Sequence, residues 1–133
     1  MRRAARVAGL VSALLAGQPA AAESPEILYM LHCQGCHLPD GSGSPGSVPP
    51  LSSLVRLLSV PEGRAFLVQV PGSASSALSD VELAAVLDWM IRRFAPGAGP
   101  VPPYRAEEMA ALRAAPLADV ASVRRRILDQ AAP

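Results

Sequence analysis

The chain has 133 residues, a formal net charge of +1 and a half share of hydrophobic residues, and all twelve of its basic residues are arginine. A charge so close to balance, without a basic patch or aromatic interleaving, excludes the electrostatic grip that nucleic-acid binding needs. The length allows one domain with a modest core.

Met1 to Ala22 carry Arg2, Arg3 and Arg6, then an uncharged run from Val7 to Ala16, and close on Ala20-Ala21-Ala22. A basic start, a short apolar middle and a small-x-small end have the layout of a secretory signal peptide, with cleavage before Glu23. The run is shorter than the roughly 20 apolar residues that span a bilayer. Residues 1–22 are therefore expected to be removed, leaving a periplasmic or secreted protein without a membrane span. Nine arginines would then face eleven Asp and Glu.

Ser24-Pro25-Glu26 predicts a helix start, with a capping side chain followed by proline where its missing N–H costs nothing. Ile27, Met30 and Leu31 follow at helical spacing, and the helix is expected to run into Cys33 and end near Gly35. Pro39 to Pro50 is a Gly, Ser and Pro loop. Leu51 to Leu58 gives a short apolar stretch, and Pro61 to Val70 a second helix that carries Arg64, Phe66, Leu67 and Gln69. Pro71-Gly72 is expected to end it, with a brief polar loop from Ser73 to Ala77. The clearest helix begins at Ser79, because Ser79-Asp80-Val81-Glu82 is a capping box and Leu78 and Leu83 stand at staple spacing. Leu83, Leu87, Met90 and Phe94 line one face, and Arg92, Arg93 and Pro96-Gly97 mark its end. A Pro/Gly linker from Ala95 to Pro103 leads to two more helices, Ala106 to Ala114 and Leu117 to Gln130, the latter carrying Arg124-Arg125-Arg126 as a solvated helix end. The fold class is all-α, with neither alternating strand patterns nor internal repeats.

Both cysteines fall in Cys33-Gln34-Gly35-Cys36-His37, the attachment pattern of a c-type haem. Two intervening residues let one helical turn present both sulfurs to the vinyl groups on one porphyrin edge, and the next histidine can reach under the ring to the iron. A thioredoxin-like dithiol is the first alternative, but that motif belongs beside a βαβ pattern, which is absent. A zinc site is the second, but no further cysteine exists and His32 adjoins Cys33 too closely to complete a tetrahedral set.

A helix leading into Cys33-x-x-Cys36-His37, a Gly/Pro loop and a later Leu-Ser-Asp-capped helix with an aromatic together resemble the small class I cytochrome c domain over Ser24 to Phe94. The resemblance implies a helical domain around one covalent haem c, bonded through Cys33 and Cys36, with His37 as an iron ligand. It also implies that Tyr29, four residues before Cys33, packs against Trp89 of the last helix, and that a proline carbonyl, from Pro49 or Pro50, accepts the second N–H of His37. On this reading residues 23–97 form the cytochrome c domain and residues 98–133 a Pro-rich linker with a C-terminal helical extension.

The resemblance stops at the far side of the iron. Family members usually place a methionine in the loop before the last helix, and Gly72 to Ala77 holds neither methionine nor histidine. Met109, on a helix that can fold back, is the first substitute and Met90 the second; Met30 reads as core and His32 as surface. Arg64 and Gln69 are the nearest polar candidates for that face, and read first as solvent-facing positions of an amphipathic helix. The leading expectation is an electron carrier that serves a partner redox enzyme. The alternatives are a five-coordinate haem protein that binds a small gas or reduces peroxide, and a haem subunit docked on a larger dehydrogenase through Leu112, Leu117, Val120, Val123, Ile127 and Leu128.

Overall fold

The computed structural model describes residues 22–131; the signal peptide expected at 1–22 therefore lies outside the described residues except for Ala22. The helices are α1 (Pro25–His32), α2 (Gln34–His37), α3 (Leu54–Leu57), α4 (Glu62–Gln69), α5 (Pro71–Ala74), α6 (Asp80–Phe94), α7 (Ala106–Arg113) and α8 (Val120–Gln130), with 3-10 turns at Leu51–Ser53 and Pro96–Ala98. Among the described residues the only β feature is a Ser44–Val48 bridge in the Gly/Pro loop. The fold is all-α, and no helix among the described residues is long and apolar enough to cross a membrane.

Capping explains where the helices start. The Ser24 hydroxyl accepts from the Ile27 N–H at 3.3 Å, and Pro25 occupies the first turn of α1. At α6 the capping box is complete: Glu82 N–H donates to Ser79 Oγ at 3.3 Å, and Ser79 N–H donates to Glu82 Oε2 at 2.8 Å. Leu78 and Leu83, on either side of that cap, are both buried.

The expected boundaries shift in several places. The first helix breaks at Cys33, whose φ of −125° interrupts the helical run, so Gln34–His37 is a separate turn. The second stops one residue early at each end, with Pro61 outside it. Part of the expected polar loop is helical, because Pro71 starts a turn through Ala74. The last helix starts at Val120 rather than Leu117, where the Asp119 carboxylate accepts the Ser122 N–H at 3.0 Å.

α1 crosses α6, and the contact is aromatic. The Tyr29 ring centroid lies 5.2 Å from that of Trp89 and 5.4 Å from that of Phe94, as the resemblance implied. Such pairs add about 0.5–1.5 kcal/mol beyond the area they bury. Residues 98–131 fold back onto α6, α4 and α3. Tyr104, Met109 and Ile127 belong to the same buried cluster as Leu28, Leu83 and Leu87, and Leu112, Leu117, Val120, Val123 and Leu128 pack against it. The apolar side of the extension is thus covered by its own chain.

Arginines make the attachments. Arg64 donates twice to the Glu108 carboxylate (2.8 and 3.0 Å) and also to the Pro102 carbonyl, with its guanidinium 4.0 Å above the Tyr104 ring. Arg113 on α7 donates to the carbonyls of Ala74, Ser76 and Leu78 and to Asp80 at 2.7 to 3.1 Å, which fixes the segment ahead of α6. Arg64 is therefore committed to α7 and its linker, and neither it nor Gln69 lines the large cavity described below.

Two tyrosines make the fold alkali-sensitive. Burial raises the Tyr29 phenol to about 12, helped by Cys33 and Asp40, and raises Tyr104 further, against the opposing charge of Arg64. A folded-state pKa above the unfolded value of about 10 gives stability that is complete below pH ~10 and is lost as pH rises through the folded values. Urea midpoints are expected to fall between about pH 9 and about pH 11, and Tyr104→Phe is expected to fall less over the same interval. Parallel losses in the two proteins would show that Tyr104 does not contribute.

Candidate functional site

The Cys33 carbonyl caps the short turn that follows it, accepting from Cys36 N–H at 3.2 Å and His37 N–H at 3.0 Å. Both thiols and the imidazole therefore belong to one tight piece of backbone. Its exit is strained, because Leu38 adopts φ 61°, a region that costs a non-glycine residue roughly 1–3 kcal/mol. The Tyr29 hydroxyl donates to the Leu38 carbonyl at 2.6 Å, and Leu38 N–H donates to the Gln34 carbonyl at 2.8 Å, so the turn is held from both sides. Cys33 is half-buried and Cys36 exposed. Burial raises the Cys33 thiol above its usual pKa, with Cys36 adding to the effect.

Cys36 and His37 stand at the edge of a cavity of about 1000 Å³, at the upper end of the ~300–1000 Å³ usual for ligand pockets. Pro49 and Pro50 form the wall beside His37, Phe66, Leu67 and Val70 at α4 a second wall, and Leu87, Met90 and Ile91 of α6 a third. Burial lowers the His37 pKa, while the Pro49 carbonyl opposes that shift. Of the two prolines expected to meet His37, it is Pro49 whose carbonyl does so. His37 Nδ1 is nonetheless closed off from solvent without a hydrogen bond of regular geometry.

Met90 lines the cavity. Met109 does not: it is fully buried on α7, where that helix packs against α4 and α6. The structure gives Met109 to the core. Met30 is exposed rather than buried in the core, and His32 is exposed on the surface. Gly72 and Ser73, from the segment without a methionine, do line the cavity.

One wall was not foreseen. Val120, Ala121, Arg124, Arg125, Leu128 and Asp129 of α8 face the cavity. The helix is strung across it by contacts at three levels: Leu117 N–H to the Gln69 carbonyl at 2.9 Å, Arg124 Nη2 to Ser53 Oγ at 3.3 Å, and Arg56 Nη2 to the Leu128 carbonyl at 2.8 Å. The Arg124 to Arg126 run is mid-helix, and only Arg126 is left as the solvated residue away from the cavity. The available signal was Val120, Arg124 and Leu128 at intervals of four, a half-buried stripe with an arginine at its centre.

These residues fit a haem. Two thiols and an imidazole share one turn beside a large cavity with mainly apolar walls, and the buried, unsatisfied Nδ1 of His37 belongs to a ring with a second nitrogen free to bind metal. A curated protein, cytochrome c-552 of Thermus thermophilus, is 32% identical over 126 residues, covering 79% of this chain and 85% of the relative. The chain belongs to the cytochrome c family. No protein-family model matches it. Membership accounts for the aromatic contact between Tyr29 and Trp89, which locks the helix before the cysteines to α6, and for the proline beside His37. The family's usual methionine position is where this chain instead has Arg113 binding the backbone carbonyls of residues 74–78.

Proposed function

We propose that the protein is an exported electron carrier with a single haem c, bonded through Cys33 and Cys36, with His37 on the iron and a separate redox protein as its partner. The observation that carries this reading is the placement of Cys36 and His37 on the cavity edge, with Cys33 one residue before their turn. The bound haem supplies an iron that cycles between the ferric and ferrous states by one electron. The chain's own residues do the rest. Cys33 and Cys36 would fix the porphyrin edge, Pro49 would orient the His37 ring, and Phe66, Leu67 and Leu87 would keep water from the iron. The exposed Cys36 leaves that edge accessible, and one-electron exchange requires no acid-base group there.

A spectroelectrochemical titration of the purified periplasmic protein tests the carrier role. The expected result is one reversible one-electron wave. An irreversible or multi-electron response would overturn the role.

One observation favours a second reading. Among the described residues, no histidine or methionine of α4, α5 or α8 lines the cavity, and Met90 is the lone methionine that does. An iron without a sixth protein ligand would bind small molecules such as carbon monoxide or peroxide. A high-spin ferric spectrum with rapid carbon monoxide binding after reduction is its expected signature. A low-spin spectrum with the far-red methionine-to-iron band, abolished in Met90→Leu, would eliminate it.

A further inference from the structure

The arginines of the cavity are short of acceptors. Arg124 Nε is buried and has no hydrogen-bond partner, although Nη2 of the same guanidinium reaches Ser53. Arg56 from α3 and Arg125 from α8 line the same cavity. Among the described residues none of these three enters a salt bridge, whereas Arg64 and Arg113 each pair with a carboxylate. Asp129 is the one carboxylate in the lining, and Asp119, whose pKa is lowered chiefly by hydrogen bonds from Ser122, lies near enough to Arg125 to feel its charge. A buried donor left without an acceptor costs about 1–3 kcal/mol, and more when it is charged. An anion inside the cavity would remove that cost.

A guanidinium presents its N–H groups as a planar fork that matches a carboxylate. A haem held by Cys33, Cys36 and His37 brings two carboxylates into the same cavity. We propose that Arg124, flanked by Arg56 and Arg125, receives the haem carboxylates, so that α8 is a cofactor-binding helix as well as a cover. This rests on the haem reading above. A cation close to the iron favours the ferrous state, which carries one positive charge less, and stabilises the ionised carboxylates. Arg124 thereby becomes a positioning and tuning residue for the redox centre.

The test compares the holoprotein with Arg124→Gln, Arg124→Lys and Arg56→Gln, and with Arg126→Gln as a control on the exposed side of the same helix. The readouts are midpoint potential and its dependence on pH. Arg124→Gln is expected to lower the potential and to move the carboxylate inflection to higher pH. Arg124→Lys is expected to restore most of the potential, Arg56→Gln to show a smaller shift of the same sign, and Arg126→Gln no shift. Should Arg124→Gln fail to accumulate, Arg56→Gln and Arg124→Lys still decide the matter through the same two readouts. Unchanged potential and inflection in variants that retain haem would overturn the proposal and leave Arg124 as a tether to Ser53. A potential that responds to added inorganic phosphate in the parent but not in Arg124→Gln would also overturn it, by assigning the site to a free anion. A parent protein without covalent haem would overturn both this proposal and the haem reading, and would be seen before any variant is compared.

Discussion

Met109→Ala is expected to lower the unfolding free energy by about 2–5 kcal/mol, the usual result of truncating a long core side chain to alanine. Met109 has no exposed surface and belongs to the single buried cluster that joins α7 to α4 and α6. Its environment cannot collapse cheaply, because Arg64–Glu108 holds one side of α7 and Arg113–Asp80 the other. At roughly 4 °C or more per kcal/mol for a domain near this size, the melting temperature should drop by at least about 8 °C. The optical spectrum of the iron should stay as it is, since Met109 is not in the cavity lining. A variant with nearly native stability but a changed spin state would give Met109 back its role as an iron ligand.

The second large effect is expected at Gly43. Its φ is +69°, and a Cβ there would meet the Val48 carbonyl oxygen and come within 2.9 Å of the Pro49 carbonyl oxygen. The glycine N–H donates to the His37 carbonyl at 3.2 Å, so this position touches the backbone on both sides of the imidazole. Gly43→Ala combines a left-handed penalty of about 1–2 kcal/mol with crowding of about 1–3 kcal/mol. A loss of roughly 2–5 kcal/mol is expected in chemical denaturation. Because the Pro49 carbonyl that faces His37 is crowded together with that of Val48, a shift in midpoint potential should accompany it. Loss of stability without any change in potential would mean that Pro49 does not govern the imidazole.

The parts of this molecule that could be read from sequence are those set by local chemistry. Ser79 and Glu82 cap a helix whatever lies around them, so α6 starts where the residues say it must. The cysteine spacing and the adjoining His37 are likewise a one-turn constraint, and Tyr29 finds Trp89 because both stand on well-formed helices. The break at Cys33 was hidden because nothing in Leu31-His32-Cys33-Gln34 is a helix breaker. The interruption arises where the chain turns to bring Cys36 and His37 to the cavity edge.

The remaining differences are tertiary. Met90 and Met109 both stand on helices of mixed apolar and charged residues, and packing separates the one that lines the cavity from the one that fills the core. Arg124 stands in a run of three identical residues, set apart in sequence by its four-residue spacing from Val120 and Leu128. Its place is fixed by the pitch of α8, by the Asp119 cap and by the bond between Leu117 and Gln69, which together set the helix phase. Sequence offers Arg64 as a solvent-facing position or a cavity candidate, because its partners, Tyr104 and Glu108, are some forty residues away in the chain.

The proposed redox centre depends on Cys33 and Cys36 carrying the haem and His37 binding its iron. The most direct measurement is the intact mass of protein exported from a host with cytochrome c maturation machinery, taken after denaturation, alongside Cys33→Ala/Cys36→Ala. The parent chain is expected to retain one haem's mass through denaturation and the double variant none. A parent chain at the mass of its polypeptide alone would contradict covalent attachment at this turn.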